Sequence, residues 1–176
     1  VRGLIFSRAA GILHALDIPD TTLSRFALPM SKNREQAFAA YDKVYSEASL
    51  LHKENKKVCI VAEGDAGFYS SIHYIFEKLQ ADNIPVQHIA GIPAFIAAGA
   101  CAGLHIASQE ERLTVIPGII TAEEIEKYME EKTTIVIMKL SQCIEEVHRC
   151  IHLHPEYNYH YFENIGCLLY TSPSPR

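Results

Sequence analysis

Several signatures are missing from this 176-residue sequence, and each absence excludes a class of protein. No apolar run reaches the roughly 18–20 residues of a membrane-spanning helix, so none is predicted. The 16 Lys and Arg residues are outnumbered by 21 Asp and Glu, and the net charge of −5 argues against a nucleic-acid-binding surface. Neither GxxxxGK followed by Ser or Thr nor GxGxxG occurs, which argues against nucleotide phosphate chemistry.

Cysteine is sparse, and no two cysteines form a CxxC pair. An odd, scattered set in apolar stretches is typical of reduced, buried thiols. We therefore expect a protein of a reducing compartment, the cytoplasm. The start at Val1, within a helix-like stretch and without a signal peptide, predicts an amino-terminally truncated fragment. The five cysteines are Cys59, Cys101, Cys143, Cys150 and Cys167.

Short β-type runs alternate with helical periods along the chain. Hydrophobic residues make up 48% and charged residues 21%, a balance typical of a folded globular protein rather than a disordered one. The alternation predicts an α/β fold with mostly parallel sheets. The predicted strands cover 57–62, 86–90, 113–118, 133–139 and 159–163, with a short run at 26–28.

Apolar residues at three- and four-residue steps predict the helices between these strands. Ser31 is a candidate cap for the second helix, and Thr121 with Glu124 forms a capping box. Pro93 is predicted at the first position of its helix. The predicted helices lie at 4–16, 31–51, 72–79, 94–103, 121–131 and 141–151.

The polar stretch 104–112 predicts a domain boundary. The amino-terminal α/β domain then covers 1–106 and the carboxyl-terminal α/β domain covers 107–166. The remaining segment, 167–176, is rich in Ser and Pro and has no periodicity. It is predicted to be a non-native addition, with a native flexible terminus as the alternative.

Two glycine-containing turns carry the chemistry-bearing candidates. In open α/β sheets, ligands bind beyond the carboxyl ends of the strands, where small residues let the backbone approach closely. The loop 63–71 satisfies this, with Gly64 and Gly67 free in conformation and Asp65 able to face a cation. Backbone N–H groups at the following helix could hold a carboxylate. A plain turn with Asp65 as a helix cap is the alternative, and packing alone could explain the second turn, 91–94.

These segments together resemble the tetrapyrrole methylase family. GDAGFYSS is similar to the family's GDPxFYST-like loop, and HIAGIPAFIAAGACAG to its second turn and small-residue helix. ERLTVIPG, TIVIMKL and YFENIG are similar to its carboxyl-terminal segments, in the same order over about residues 1–166. Within the family, the likeness is strongest to members that methylate carbon 20 of precorrin-2 or cobalt-factor II.

The resemblance implies a class III methyltransferase that uses S-adenosylmethionine to methylate a reduced tetrapyrrole. It implies two α/β domains with the cofactor in the cleft between them, a homodimer, and no metal, membrane or nucleic-acid partner. It identifies no catalytic residue, and His73, His88 and His105 are candidate bases by titration range alone. The implied cofactor-binding residues are Glu63, Gly64, Asp65, Phe68, Pro93, Ala94, Met138 and Gly166.

The sequence departs from the family pattern at several positions. The first motif, a GxGPGD loop, and the strand before it are absent, so part of the cofactor site is missing. Ala66 and Ala90 stand where the family has proline. Pro93 replaces a hydroxyl-bearing residue, so a side-chain hydrogen bond there is lost.

Several alternatives stay open. The enzyme could be another precorrin methylase or a uroporphyrinogen methylase, or the chain could be a non-catalytic α/β nucleotide-binding or regulatory domain. A zinc or cobalt site at Cys150, His152, His154 and His160 is a further alternative, although no standard ligand spacing occurs. A polycarboxylate substrate also needs a local basic patch, because the net charge would oppose its approach. The candidates for that patch are Arg2, Arg8, Arg25, Lys32, Arg34 and Arg112.

Overall fold

A computed structural model of the chain describes residues 8–19, 22–26, 34–163, 165 and 174–175. The chain divides into two compact units, Val1–Ile92 (unit 1) and Pro93–Arg176 (unit 2). Helices occur together with a parallel strand pair, so the fold class is α/β, as the alternating pattern predicted. The domain boundary between residues 106 and 107 stays a prediction.

Unit 1 is built on the packing of two helices. It contains α1 (Arg8–Ala15), α2 (Arg34–Lys53) and α3 (Ile72–Ala81). The apolar spacing predicted α2 and α3 correctly because their apolar faces are buried against each other. Each fully buried large aliphatic side chain contributes roughly 1.5–3 kcal/mol to such a core. The buried core residues are Tyr41, Ala48, Ile75 and Leu79.

Both long helices of unit 1 end in the same way. Asn55 follows α2 and Asn83 follows α3, each with a positive φ, of 58° and 56°. After α3, the Ile84 N–H donates to the Leu79 carbonyl at 3.0 Å, which satisfies a helix-end carbonyl. Asparagine tolerates the left-handed conformation better than most residues do, so it ends a helix where glycine would otherwise stand.

The two strands predicted in unit 1 are not formed. The runs 57–62 and 86–90 have no ladder hydrogen bonds within the part of the chain that the structure describes. The continuous apolar pattern of 57–62 favours a run buried on both faces, but Val58 and Val61 are 41% and 47% exposed. In the run 86–90, Ile89 is 75% exposed. A strand exists only when a neighbour pairs with it, and the described residues supply none. Of the short run 26–28, Phe26 is not in a strand and 27–28 lie outside the described residues.

Unit 2 begins with helix α4 (Ala94–Ala102) and contains a strand–helix–strand element. Strands β1 (Arg112–Ile116) and β2 (Thr133–Ile137) pair in parallel, with Arg112 opposite Thr133 and Ile116 opposite Ile137. Helix α5 (Ala122–Glu130) connects them. A 3₁₀ turn (Leu140–Gln142) then leads into α6 (Ile144–Leu153). These elements confirm the strands and helices predicted from residue 113 to 151.

The start of α5 is held by two carboxylates. The predicted capping box is formed: Thr121 Oγ1 accepts from the Glu124 N–H at 3.3 Å, and Glu124 Oε2 accepts from the Thr121 N–H at 3.0 Å. Glu146 of α6 accepts from the Ala122 N–H at 3.0 Å, which links the two helices. Beneath them lies the core of unit 2: Ile120, Ala122, Ile125, Met129, Cys143 and Cys150.

The carboxyl-terminal segment contains two short strands. Of the predicted strand 159–163, only β3 (His160–Tyr161) forms, and it pairs antiparallel with β4 (Ser174–Pro175). The non-native origin of 167–176 stays a prediction. Ser31 lies outside the described residues.

The cysteines divide into two groups. The four described ones are free thiols, but only Cys143 and Cys150 are buried, whereas Cys59 and Cys101 are exposed. The expectation that all are buried is therefore wrong, and Cys59 is exposed because the run 57–62 is unpaired. None of the described helices is long and apolar enough to cross a lipid bilayer.

Candidate functional site

The loop 63–71 folds as a turn ahead of α3. The Phe68 N–H donates to the Asp65 carbonyl at 3.3 Å. Gly64 has a φ of 80°, a conformation that glycine adopts without strain. Tyr69 has a φ of 50°, which is unusual for a bulky side chain, and its ring meets the Phe68 ring edge to face at 4.8 Å. The loop therefore adopts a defined turn conformation.

The Asp65 carboxylate joins this loop to the second turn. Its Oδ1 accepts from the Gly67 N–H at 2.7 Å, and its Oδ2 accepts from the Gly91 N–H at 2.6 Å. Gly91 lies 26 residues further along the chain. The two glycine turns of unit 1 are thus held together by one side chain, which is only 14% exposed.

The contact between the turns leaves no room for side chains at two glycines. A Cβ on Gly91 would overlap the Gly64 carbonyl oxygen and lie 3.1 Å from the Asp65 Cα. A Cβ on Gly67 would overlap the His88 ring. Beside Gly64 the space is open, because a Cβ there would meet only the Ile92 carbonyl oxygen, at 3.8 Å. Open space, here called the recess, therefore lies beside the exposed Gly64.

The hydrogen bonds to Asp65 also fix its charge. The Gly91 N–H, followed by the Gly67 N–H, holds the pKa of the Asp65 carboxyl below its ordinary value of 3.8, since both favour the ionised form. Partial burial acts in the opposite direction and raises the pKa of this carboxyl. The charge interaction with His88 lowers it by a smaller amount. Asp65 is therefore a carboxylate at neutral pH.

Two of the three candidate bases lie in unit 1. His88 lies beside the glycine turns, with Nε2 3.8 Å from Asp65 Oδ1. His73 lies on α3, 3.6 Å from the Glu77 carboxylate, and its ring contacts Tyr74. The third, His105, belongs to unit 2.

In unit 2, a turn follows the carboxyl end of each of the paired strands β1 and β2. The Met138 N–H donates to the Ile116 carbonyl at 2.8 Å and extends the parallel ladder by one bond. Gly118 has a φ of 145°, and a Cβ there would lie 2.8 Å from Gln142 Oε1. Gly118 and Gln142 were missed by the sequence reasoning, although Pro-Gly directly after a predicted strand is the signal that indicates them.

The predicted site residues are divided between the two units. Glu63, Gly64, Asp65 and Phe68 lie on the loop of unit 1, and Met138 follows β2 in unit 2. Pro93 and Ala94 stand at the start of α4, where Pro93 occupies the N-cap, one position before the predicted one. Gly166 lies outside the described residues.

Two of the residues proposed for the alternative metal site, Cys150 and His154, make other contacts. Within the described ranges, no group of three His, Cys, Asp or Glu side chains could hold a metal ion. The Cys150 thiol is buried and donates to the Ala122 carbonyl at 3.6 Å, and burial raises its pKa. His154 lies 3.3 Å from Glu126 and 3.4 Å from Glu156.

Three candidates for the basic patch lie in the described part of the chain. Arg25 contacts His14 at 3.1 Å, and Arg34 donates to the Tyr74 hydroxyl at 3.4 Å. Arg112 is the first residue of β1 in unit 2. Arg2, Lys32 and the side chain of Arg8 lie outside the described residues.

Comparisons with known proteins agree with these motifs. Residues 5–168 match the family model described as Tetrapyrrole (Corrin/Porphyrin) Methylases. A probable cobalt-precorrin-2 C(20)-methyltransferase of Methanocaldococcus jannaschii is 28% identical over 127 residues, which is 71% of this chain and 52% of that protein. A precorrin-2 C(20)-methyltransferase of a Sinorhizobium species is 29% identical over 107 residues, 60% of this chain and 43% of that protein.

The chain thus spans about half the length of the curated relatives it matches. The family match covers nearly the whole sequence and includes both glycine turns and the carboxyl edge of β1 and β2. The chain belongs to the tetrapyrrole methylase family.

Proposed function

We propose that the chain methylates a reduced tetrapyrrole, precorrin-2 or cobalt-factor II, at carbon 20 in corrin biosynthesis, with S-adenosylmethionine as donor. Both curated relatives are named for this position. The structural observation that supports the proposal best is the meeting of two glycine turns through Asp65, which fixes the backbone beside the open space at Gly64.

The residues present fit the cofactor. A Cβ on Gly64 would enter the recess and meet the Ile92 carbonyl oxygen at 3.8 Å, so the glycine leaves this space free for a ligand. We propose that Glu63, Gly64, Asp65 and Phe68 bind the cofactor in unit 1. Pro93 and Ala94 at the start of α4, Met138 after β2, and Gly166 are the remaining proposed contacts.

S-adenosylmethionine would supply a methyl group that its sulfonium already makes electrophilic. The protein's task is then to orient the two reactants and keep water away. Orientation of this kind lowers the activation barrier by up to about 7–11 kcal/mol. The rigid turns at Gly64 and Gly91 suit that task because their backbone path is fixed by hydrogen bonds.

A proton must leave the substrate carbon after methylation. His88 is the candidate base that lies beside the glycine turns, and its side chain is 44% exposed. No catalytic residue is assigned beyond this candidate.

Calorimetry on a version of the chain extended to the length of the curated relatives tests the cofactor part of the proposal. We expect S-adenosylhomocysteine to bind and NAD to give no heat, and Gly64→Val to abolish binding while the circular dichroism spectrum stays unchanged. The branched side chain would fill the open recess and force a strained φ. Binding of NAD alone would instead support a nucleotide-binding regulatory domain.

Mass spectrometry of reaction products tests the substrate part. We expect one added methyl on precorrin-2 or cobalt-factor II. Methylation of uroporphyrinogen with none on precorrin-2 would contradict the proposal and indicate another member of the family. The resemblance also leads us to propose a cytoplasmic homodimer, which sedimentation equilibrium would test at the level of mass.

A further inference from the structure

Both oxygens of the Asp65 carboxylate are used within the protein. They accept from the Gly67 and Gly91 amides at 2.7 and 2.6 Å. Neither amide donates to a backbone carbonyl in the described part of the chain. The carboxylate therefore supplies hydrogen bonds that secondary structure supplies elsewhere.

We propose that Asp65 is a positioning residue, whose carboxylate joins the two glycine turns and so shapes the recess that binds the cofactor. This inference rests on the proposed function. Asp65 then borders the ligand through its backbone while its side chain is directed to Gly67 and Gly91.

Other tasks for this side chain fit the geometry less well. The alternative of a helix cap fails because α3 begins at Ile72, where the Ser70 hydroxyl accepts from the first helical amide at 3.4 Å. As a cation ligand Asp65 would need further ligands beside it, and among the described residues no group of three His, Cys, Asp or Glu side chains could hold a metal ion.

The joining role matters because sheet hydrogen bonds do not connect the two segments. The runs that lead into the turns, 57–62 and 86–90, have no ladder bonds between them in the described structure. The Gly91 amide, next to the Gly64 carbonyl, is held by the Asp65 carboxylate, and the His88 ring packs beside Gly67. Loss of the Asp65 carboxylate should therefore change the recess more than it changes the helical core of unit 1.

Asparagine is the sharpest substitution at this position. Its carbonyl oxygen can accept from one amide, but its NH₂ group would then face the other amide N–H, and two donors cannot bond. Asparagine has nearly the same shape as aspartate. A difference between the wild-type chain and Asp65→Asn therefore measures the effect of the second acceptor and of the negative charge. Asp82→Asn is the matched control, because Asp82 is an exposed carboxylate of the same unit that accepts from Tyr45 and lies outside both turns.

The test combines amide exchange with ligand binding. In the wild-type chain, NMR should show the Gly67 and Gly91 amides protected from exchange. In Asp65→Asn, at least one of them should lose protection, and the affinity for S-adenosylhomocysteine should fall roughly tenfold or more. KM for S-adenosylmethionine should rise with kcat at saturation retained, and Asp82→Asn should leave all of these values unchanged.

The outcomes separate the inference from the function. Rapid exchange of both glycine amides in the wild-type chain would overturn the joining role without any variant, even if Asp65→Asn failed to fold. Equal affinity of folded Asp65→Asn and wild type would overturn the positioning role alone. A wild-type chain with protected amides but no affinity for S-adenosylhomocysteine would overturn the proposed function, and the role at the recess with it.

Discussion

Gly91→Ala is the substitution whose effect follows most directly from the distances. The added methyl would overlap the Gly64 carbonyl oxygen and crowd the Asp65 Cα, which are backbone atoms that no side-chain rotation can move. To reach an ordinary contact distance, the turns must separate by roughly 1.2 Å. The hydrogen bond between the Gly91 amide and Asp65 would then lengthen from 2.6 Å to about 3.8 Å, beyond the normal range.

We expect two measurable losses from this separation. Overpacking of this kind lowers the free energy of unfolding by about 1–3 kcal/mol, or about 2–4 °C in the melting temperature for each kcal/mol. The recess beside Gly64 would change shape, so the affinity for S-adenosylhomocysteine should fall as well. Differential scanning calorimetry and isothermal titration measure the two losses on the same sample.

Gly11→Ala is the matched control for this prediction. Gly11 lies in α1, and a Cβ there would meet no atom within 4 Å. It adds the same methyl group without a clash, and alanine favours a helix interior, so the control should be neutral or stabilising. A folded Gly91→Ala with wild-type stability and wild-type affinity would refute the close approach of the two turns.

Three further predictions follow from individual contacts. Gly67→Ala should destabilise unit 1, because the added methyl would overlap the His88 ring. In a double-mutant cycle of unfolding free energies, His88→Ala should remove that cost, and additive effects of the two substitutions would contradict the contact. Thr121→Ala should cost about 1 kcal/mol through loss of the capping box with Glu124, measured by urea unfolding, and an unchanged midpoint would contradict it. Because the folded-state pKa of Asp65 is below 3.8, its ionised form stabilises the fold above that pH and ceases to do so as pH falls through the lowered pKa. The stability difference between wild type and Asp65→Asn should therefore shrink in that acidic range, and a pH-independent difference would contradict it.

The helices could be predicted from the sequence because their signals are local. Three- and four-residue apolar spacing marked α2 and α3, and Thr121 with Glu124 marked the start of α5. The β-type runs that became β1 and β2 were also predicted, and each finds the other as its parallel partner. The runs 57–62 and 86–90 carry an equally strong β-type pattern, but pairing requires a neighbour that a pattern does not contain.

The candidate site was predictable in its residues but not in its contacts. The family motif pointed to Gly64 and Asp65, and the Asp-x-Gly spacing is a local signal for the bond between Asp65 and Gly67. The bond to Gly91 spans 26 residues and depends on how the turns are folded, so no local pattern indicates it. Gly118 could have been found from the same strand-end rule that identified Gly64.

The parallel pairing of β1 with β2 bears on the order of folding. Residues that face each other in this pair are about twenty positions apart along the chain, with α5 between them, so little chain entropy opposes their meeting. In unit 1, by contrast, α2 and α3 are joined through the unpaired run 57–62 and the loop at Gly64. The strand–helix–strand element of unit 2 should therefore form its structure first as the chain refolds, and the glycine turns should be among the last parts to become ordered.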